Sequence, residues 1–171
     1  MARAPLSLKA RAIGLLAQRE QSRAELRRKL LRIEQQQRAR RAEADRAGGE
    51  SSATAVEDAP ESTDKVIEAL LDSLTADGYL DENRFVESRV HVRASRFGAQ
   101  RIQQELAQHG LKLDAEQQAA LRATELDRAR EVWLRRFGAE PSRDVTEQAR
   151  QSRFLLARGF APDLVRRLLK A

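Results

Sequence analysis

Leu106 stands four residues before Gly110, and 49 residues further on Leu155 stands four before Gly159. Each glycine is followed by an apolar residue, Leu111 or Phe160, and then by a short stretch rich in leucine or alanine. A period of that length belongs to helical repeats, in which a unit cannot bury its apolar face alone and stacks it on a neighbour. Three segments share the order helix, turn, basic helix, Gly–apolar step, short helix. In the first of them, residues at about 34–62 replace the step. Residues that favour strands are nearly missing: the 171-residue chain has 8 valines, 4 isoleucines and 4% aromatic residues. The strong helix formers Ala, Leu, Arg, Gln and Glu dominate instead. No segment alternates apolar and polar residues over a strand's length. The expected fold is all-α, with three tandem three-helix repeats forming an elongated, curved array. The expected bounds are 1–77, 78–123 and 124–171.

The local signals place the helices. A first helix is predicted from about Ser7 to Arg19, with Leu8, Ala12, Leu15 and Leu16 on one face. Ser22 and Glu25 have the spacing of a capping box ahead of the Leu26, Leu30, Ile33 stripe. Residues 34–47 keep helix-forming side chains but offer only alanine as an apolar group, so they either extend the helix into solvent or fray. Gly48-Gly49, Ser51-Ser52 and Pro60 mark residues 48–61 as a flexible acidic linker. A helix capped by Ser62 or Thr63 then carries Val66, Ile67, Leu70, Leu71 and Leu74 and ends at Gly78. Asp81 is a good N-cap, and Leu80 and Phe85 have the spacing of a hydrophobic staple, so Tyr79 and Phe85 read as core or staple residues. Phe97-Gly98 breaks the next helix. The helix with Ile102 and Leu106 closes at Gly110, and Asp114 to Gln117 opens another. In the last third, Leu126, Ala129, Trp133 and Phe137 share a face, so Trp133 reads as core. Val145, Ala149, Ser152 and Leu156 are expected to face the core of the following helix, which Ser142 or Asp144 caps. Pro162 starts the terminal helix at the position that tolerates proline, with Leu164, Val165, Leu168 and Leu169 inward.

Several classes of chemistry are excluded. With no cysteine, there is no disulfide framework and no thiolate nucleophile or ligand. The two histidines, His91 and His109, lack metal-site spacing, and His109 beside Gly110 suits a helix C-terminus. No P-loop, nucleophile elbow or glycine-rich nucleotide fingerprint is present, so no enzyme activity, metal or cofactor is expected. No apolar run reaches a membrane-spanning length, and Lys9 and Arg11 interrupt any signal-peptide core, so a soluble cytoplasmic protein is expected. The formal charge of +6 is unevenly spread. Residues 1–41 carry 12 basic and 3 acidic groups, residues 42–64 carry 1 and 7, and residues 65–171 carry 19 and 16. The acidic stretch could fold back on the basic N-terminal helices and screen them.

At this point the residues carry a likeness. Gly78-Tyr-Leu-Asp-Glu-Asn-Arg84-Phe85, followed by Phe97-Gly98-Ala-Gln-Arg101-Ile102-Gln-Gln-Glu105-Leu106 and Gly110-Leu111, resembles the central signature of the bacterial RecX family. Ala12 to Leu30 is similar to that family's opening segment, and Phe154 to Phe160 to its closing one. The likeness spans about residues 8–169, and the acidic insert is longer than the family's usual link. It implies tandem three-helix repeats and a regulator of the RecA recombinase that binds the groove of the RecA–DNA filament and restrains strand exchange, ATP hydrolysis and coprotease activity. Such a protein acts in homologous recombination, DNA repair and the SOS response, and is expected to be a monomer.

Candidate contact residues follow. Arg23, Arg27, Arg28 and Lys29 lie off the Leu26/Leu30 stripe, where they could meet DNA phosphates or acidic patches, or simply form a solvated face. Arg84 and Arg101 lie inside the central signature and either contact the partner or brace Asp81, Glu105 or a helix end. The structural members of the motif are Gly78, Tyr79, Leu80, Asp81, Phe85, Gly98, Ile102, Leu106, Gly110, Gly159 and Phe160. Two other readings compete. Leu15 to Leu30 resembles a helix-turn-helix, although its turn lacks glycine. The basic N-terminus alone suits a nonspecific nucleic-acid binder with steep salt dependence.

Overall fold

The computed structural model describes residues 6–48, 60–138 and 144–170. Among these residues there are nine helices and no strand. The all-α class follows from the scarcity of branched and aromatic side chains, which leaves nothing to fill a pleated face. The described residues fall into two compact units divided between Phe85 and Val86.

The first unit holds α1 (Leu8–Gln18), α2 (Arg23–Gly48) and α3 (Pro60–Ala76). Ser7 caps α1, its side chain accepting from the Ala10 amide at 3.2 Å. Ser22 starts α2 as its sequence implies, accepting from the Glu25 amide at 3.1 Å. Ala12, Leu26, Leu30, Ile67, Leu71, Leu74 and Leu80 form the core, with Leu8, Leu15, Leu16 and Leu70 packed against it. Two polar side chains are buried there, Ser22 and Gln21. Gln21 is satisfied on both sides: its amide donates to the Leu15 carbonyl at 2.8 Å and accepts from Lys29 at 2.9 Å.

The stretch 34–47 extends α2 as helix to Gly48, the first of the two outcomes its composition allows. The start of α3 and two of the residues expected in the core differ from expectation. Helix α3 begins at Pro60, ahead of the expected caps Ser62 and Thr63, because proline's fixed φ suits the first helical turn. Arg38 hydrogen-bonds the Thr63 hydroxyl, which ties the second half of α2 to the first turn of α3. The core of the expected linker, 49–59, lies outside the described residues. Val66 is exposed, and so is Tyr79 at 47%. Leu80 alone of the Tyr79-Leu80 pair turns inward, because Gly78 adopts a left-handed φ of +75° that closes α3 and aims the next side chain outward.

Helix α4 (Glu82–Ala94) starts on Asp81, whose carboxylate accepts from the amides of Asn83 at 2.8 Å and Arg84 at 3.1 Å. It leads into the second unit with α5 (Ala99–Ala107), α6 (Ala115–Ala123), α7 (Glu125–Phe137), α8 (Val145–Ala157) and α9 (Pro162–Lys170). Asp114 and Gln117 form a reciprocal capping box at α6. Asp144 caps α8, accepting from the Glu147 amide at 2.9 Å. The core of α7–α9 gathers Ala129, Val132, Trp133, Leu155, Phe160, Leu164, Val165, Leu168 and Leu169. The indole of Trp133 donates to the buried Gln151 amide oxygen at 3.1 Å, which satisfies both polar groups.

The face expected for α8 is out of phase. Val145 is 78% exposed, and Ala149 and Leu156 are exposed as well, whereas Gln151 and Leu155 are buried. Two adjacent leucines offer two possible phases; the polar anchor Gln151, four residues before Leu155, selects one of them because Trp133 needs an acceptor.

The Phe97-Gly98 break is a contact rather than a simple turn. The Gly98 amide donates to the Arg158 carbonyl at 2.9 Å, and the Gln100 amide donates to the Gly159 carbonyl at 3.2 Å. A β-carbon at Gly98 would lie 2.2 Å from the Gly159 carbonyl oxygen. Glycine at Gly98 also leaves α5 without a side-chain cap. Glu125, only 4% exposed, supplies one from elsewhere in the unit, its carboxylate accepting from the Ala99 amide at 3.0 Å.

Candidate docking surfaces

The basic residues singled out at the start of α2 are occupied within their own unit. Arg23 pairs with Glu68 at 2.6 Å and Asp72 at 2.8 Å, and Arg27 pairs with Glu68 at 2.7 Å and Asp64 at 3.3 Å. The sequence separates these partners by about 40 residues, so only the packing of α2 on α3 brings them together. Lys29 turns back to Gln21 and to Glu25 at 3.2 Å, and Glu25 also pairs with Arg19. Arg28 is exposed and bonds the Ala24 carbonyl of its own helix at 3.2 Å. A recognition helix offers its N-terminal residues to base edges; here Arg23 and Arg27 face the carboxylates of α3.

The two arginines of the central signature each lie beside a carboxylate of their own unit. Arg84 reaches Glu20 at 2.9 Å, the carbonyls of Gly78 at 3.0 Å and Tyr79 at 3.3 Å, and Asp81 at 3.6 Å. It thereby ties the Gly78-Tyr79 link between α3 and α4 to Glu20. Arg101 stays half exposed, 3.7 Å from Glu105, which also pairs with Arg93 at 2.8 Å. Within the first unit, Arg23 and Arg27 share the carboxylates of α3, whereas Lys29 turns to Glu25 and Arg84 to Glu20; Arg101 belongs to the second unit.

The α2–α3 pairs make a testable electrostatic statement. The hydrogen bond from Arg23 holds the Glu68 carboxyl below its ordinary value of 4.5, and the same bond raises Arg23. Burial pushes Glu25 up, but the bonds from Arg19 and Lys29 outweigh it and leave the carboxyl lowered. A carboxyl lowered in the folded state contributes stability that is fully present above its unfolded pKa and is lost as pH falls through the folded value. Thermal midpoints are therefore expected to hold near pH 6–7 and fall below about pH 4. The fall should be shallower in Glu68→Gln; an identical acid profile in that variant would remove Glu68 from the explanation.

A second basic surface lies wholly in the second unit, and the sequence reading missed it. Ser95, Arg96, Val132, Arg135, Arg136, Phe154 and Arg158 line a cavity of about 220 Å³. Among the described residues the lining has four arginines and no carboxylate. Its arginines come from three places in the sequence and meet at the C-terminus of α4. Arg135 donates to the Ser95 carbonyl at 2.6 Å, and Arg158 donates to the Arg96 carbonyl at 3.3 Å. Arg158 also lies 4.5 Å over the Phe154 ring, which stands nearly perpendicular to Phe137. The same end of α4 is held by half-buried Arg128, which donates to the Ala94 and Phe97 carbonyls, each at 2.9 Å, and to the Leu121 carbonyl at 2.8 Å. Burial lowers the Arg128 pKa, opposed by the nearby charge of Glu125. The local signal was an arginine in or just after the last turn of each helix, which reads as a complement to the helix dipole. Nothing in one segment announces that three such ends converge.

Neither surface holds metal-site geometry: among the described residues no group of His, Asp and Glu is placed to hold an ion. No helix among them is long and apolar enough to cross a membrane.

Two family models match the chain, and together they cover half of it. Residues 81–119 match the second three-helix domain of RecX, and residues 123–169 match the third. Curated relatives align over nearly the whole length. The chain is 47% identical to the "Regulatory protein RecX" of Leptothrix cholodnii, over 98% of this chain and 90% of that one. It is 46% identical to the protein of the same name from Ralstonia nicotianae, over 98% and 89%. For the one from Herminiimonas arsenicoxydans the identity is 42%, over 100% and 96%.

Proposed function

The chain belongs to the RecX family, and from that membership we propose that it regulates the RecA recombinase, inhibiting it by docking on the RecA–DNA filament. The observation that carries the reading is similarity along nearly the full length of relatives named as regulatory proteins. The proposed organisation is three repeats at 1–77, 78–123 and 124–171, acting as a monomer in the cytoplasm within recombinational repair and the SOS response. The action is that of a binding protein without a catalytic step or cofactor.

Net charge alone is modest for a protein that grips bare DNA and suits docking on a nucleoprotein surface. The basic N-terminal segment is partly neutralised by α3, and the 107 residues from 65 onward carry only a small excess of positive charge. Phosphate attraction then assists, and shape decides.

The direct assay is RecA-catalysed ATP hydrolysis on single-stranded DNA with substoichiometric amounts of this protein. The expected result is a progressive fall in rate together with co-sedimentation of the protein with filaments. An unchanged rate with no co-sedimentation would reject the reading. Acceleration would keep the partner and reverse the sign.

A further inference from the structure

The cavity at the end of α4 is built for an anion. A guanidinium carries five N–H donors in a rigid fork. Arg135 commits one nitrogen to the Ser95 carbonyl and its Nε to the Glu131 carbonyl of its own helix at 3.4 Å, and Arg158 commits one to the Arg96 carbonyl, which fixes both side chains and leaves each with further N–H donors. Arg136 makes no hydrogen bond or ion pair among the described residues, and Arg96 contributes only a ring contact, 5.9 Å over Phe97. Four positive charges thus share one cavity without a carboxylate in its lining, an arrangement that repels itself unless an anion is present.

We propose that Arg96, Arg135, Arg136 and Arg158 form a binding site for the phosphodiester backbone of a nucleic-acid strand. Phosphate is favoured over an isolated carboxylate because a strand brings successive charges at a spacing several arginines can share, and the arginine fork matches phosphate oxygens bidentately. The site reads backbone rather than bases. The ring that could stack a base, Phe154, already carries Arg158 on one face and packs in a T-shaped pair with Phe137. Binding should therefore be indifferent to sequence. The proposal stands apart from the reading of RecA as partner, since it concerns free nucleic acid.

Arg96 and Arg136 allow a clean test because neither holds a carbonyl or a carboxylate. The full chain and its R96E/R136E variant are titrated against a fluorescent 30-nucleotide single strand at several salt concentrations. A second double variant, R40E/R41E, reverses two exposed charges on α2 and controls for net charge. Helicity and thermal midpoint check that all three proteins are folded. The expected result is a loss of affinity of about tenfold or more in R96E/R136E, with the salt slope reduced by about 1 for each arginine lost. The control should lose clearly less. Equal losses in both variants, or unchanged binding in R96E/R136E, would overturn the proposal. So would a poly-glutamate probe that depends on Arg96 and Arg136 when the oligonucleotide does not, since the cavity would then be a site for acidic protein.

Discussion

Gly98→Ala is expected to destabilise the second unit by about 3–5 kcal/mol, at the upper end for overpacking, because backbone would have to move. The added β-carbon would lie 2.2 Å from the Gly159 oxygen and 2.3 Å from the Phe160 nitrogen, neither of which belongs to a side chain that can swing away. Separating the two segments would also break the Gly98–Arg158 and Gln100–Gly159 hydrogen bonds. The opposing residue cannot relieve the strain, because Gly159 sits at a φ of +80° and its own β-carbon would meet the Arg101 amide nitrogen at 2.5 Å. The sole tryptophan, Trp133, is buried in this unit and reports its unfolding by fluorescence. A fall of roughly 6–20 °C in the midpoint is expected at about 2–4 °C per kcal/mol. A midpoint within 2 °C or so of the parent would show that the two backbones do not in fact meet this closely.

Arg128→Ala should be nearly as damaging, at about 2–4 kcal/mol, for a different reason. Its guanidinium serves the end of α4 through the Ala94 and Phe97 carbonyls, the end of α6 through Leu121, and Thr124 at 3.2 Å. Removing it leaves several half-buried acceptors to find water, at roughly 1–3 kcal/mol for each that cannot. It also removes a positive charge that lies near buried Glu125. Arg128→Lys should recover only part of the loss, since an ammonium cannot fork across carbonyls that lie in different directions. The Trp133 fluorescence melt orders the three proteins; a lysine variant as stable as the parent would mean that charge, not the fork, matters.

Much of the fold was legible because its signals are local. Ser7, Ser22, Asp81, Asp114 and Asp144 each start a helix through a side chain that reaches an amide within three residues. Gly78, Gly110 and Gly159 close helices through a left-handed φ that only glycine adopts cheaply. The terminal helix was read correctly to its four buried residues, because one unbroken amphipathic stripe admits a single phase. The inward face of α8 differs from expectation because two phases were open and Trp133 chose between them, whereas Tyr79 is turned outward by the left-handed turn at Gly78.

The docking residues were legible in a weaker sense. Composition pointed to the basic start of α2, and the structure shows Arg23 and Arg27 answered by Glu68, Asp64 and Asp72. The cluster of Arg96, Arg135, Arg136 and Arg158 left no trace in segment charge, because residues 65–171 also hold 16 acidic groups that balance the count while lying elsewhere. Charge counted along a chain sums over groups that space keeps apart.

By itself the sequence determined the helical class, most helix starts and stops, the 49-residue period and the family likeness. All of these depend on residues within a few turns of one another, or on direct resemblance. Only the tertiary structure decided which arginines are neutralised and which converge, which glycine must stay bare because another backbone crosses it, and which buried carboxylate caps a helix 26 residues away. The physical reason is range. A cap or a left-handed turn is fixed by local backbone geometry, whereas an ion pair or a close backbone contact exists only once packing has chosen the neighbours.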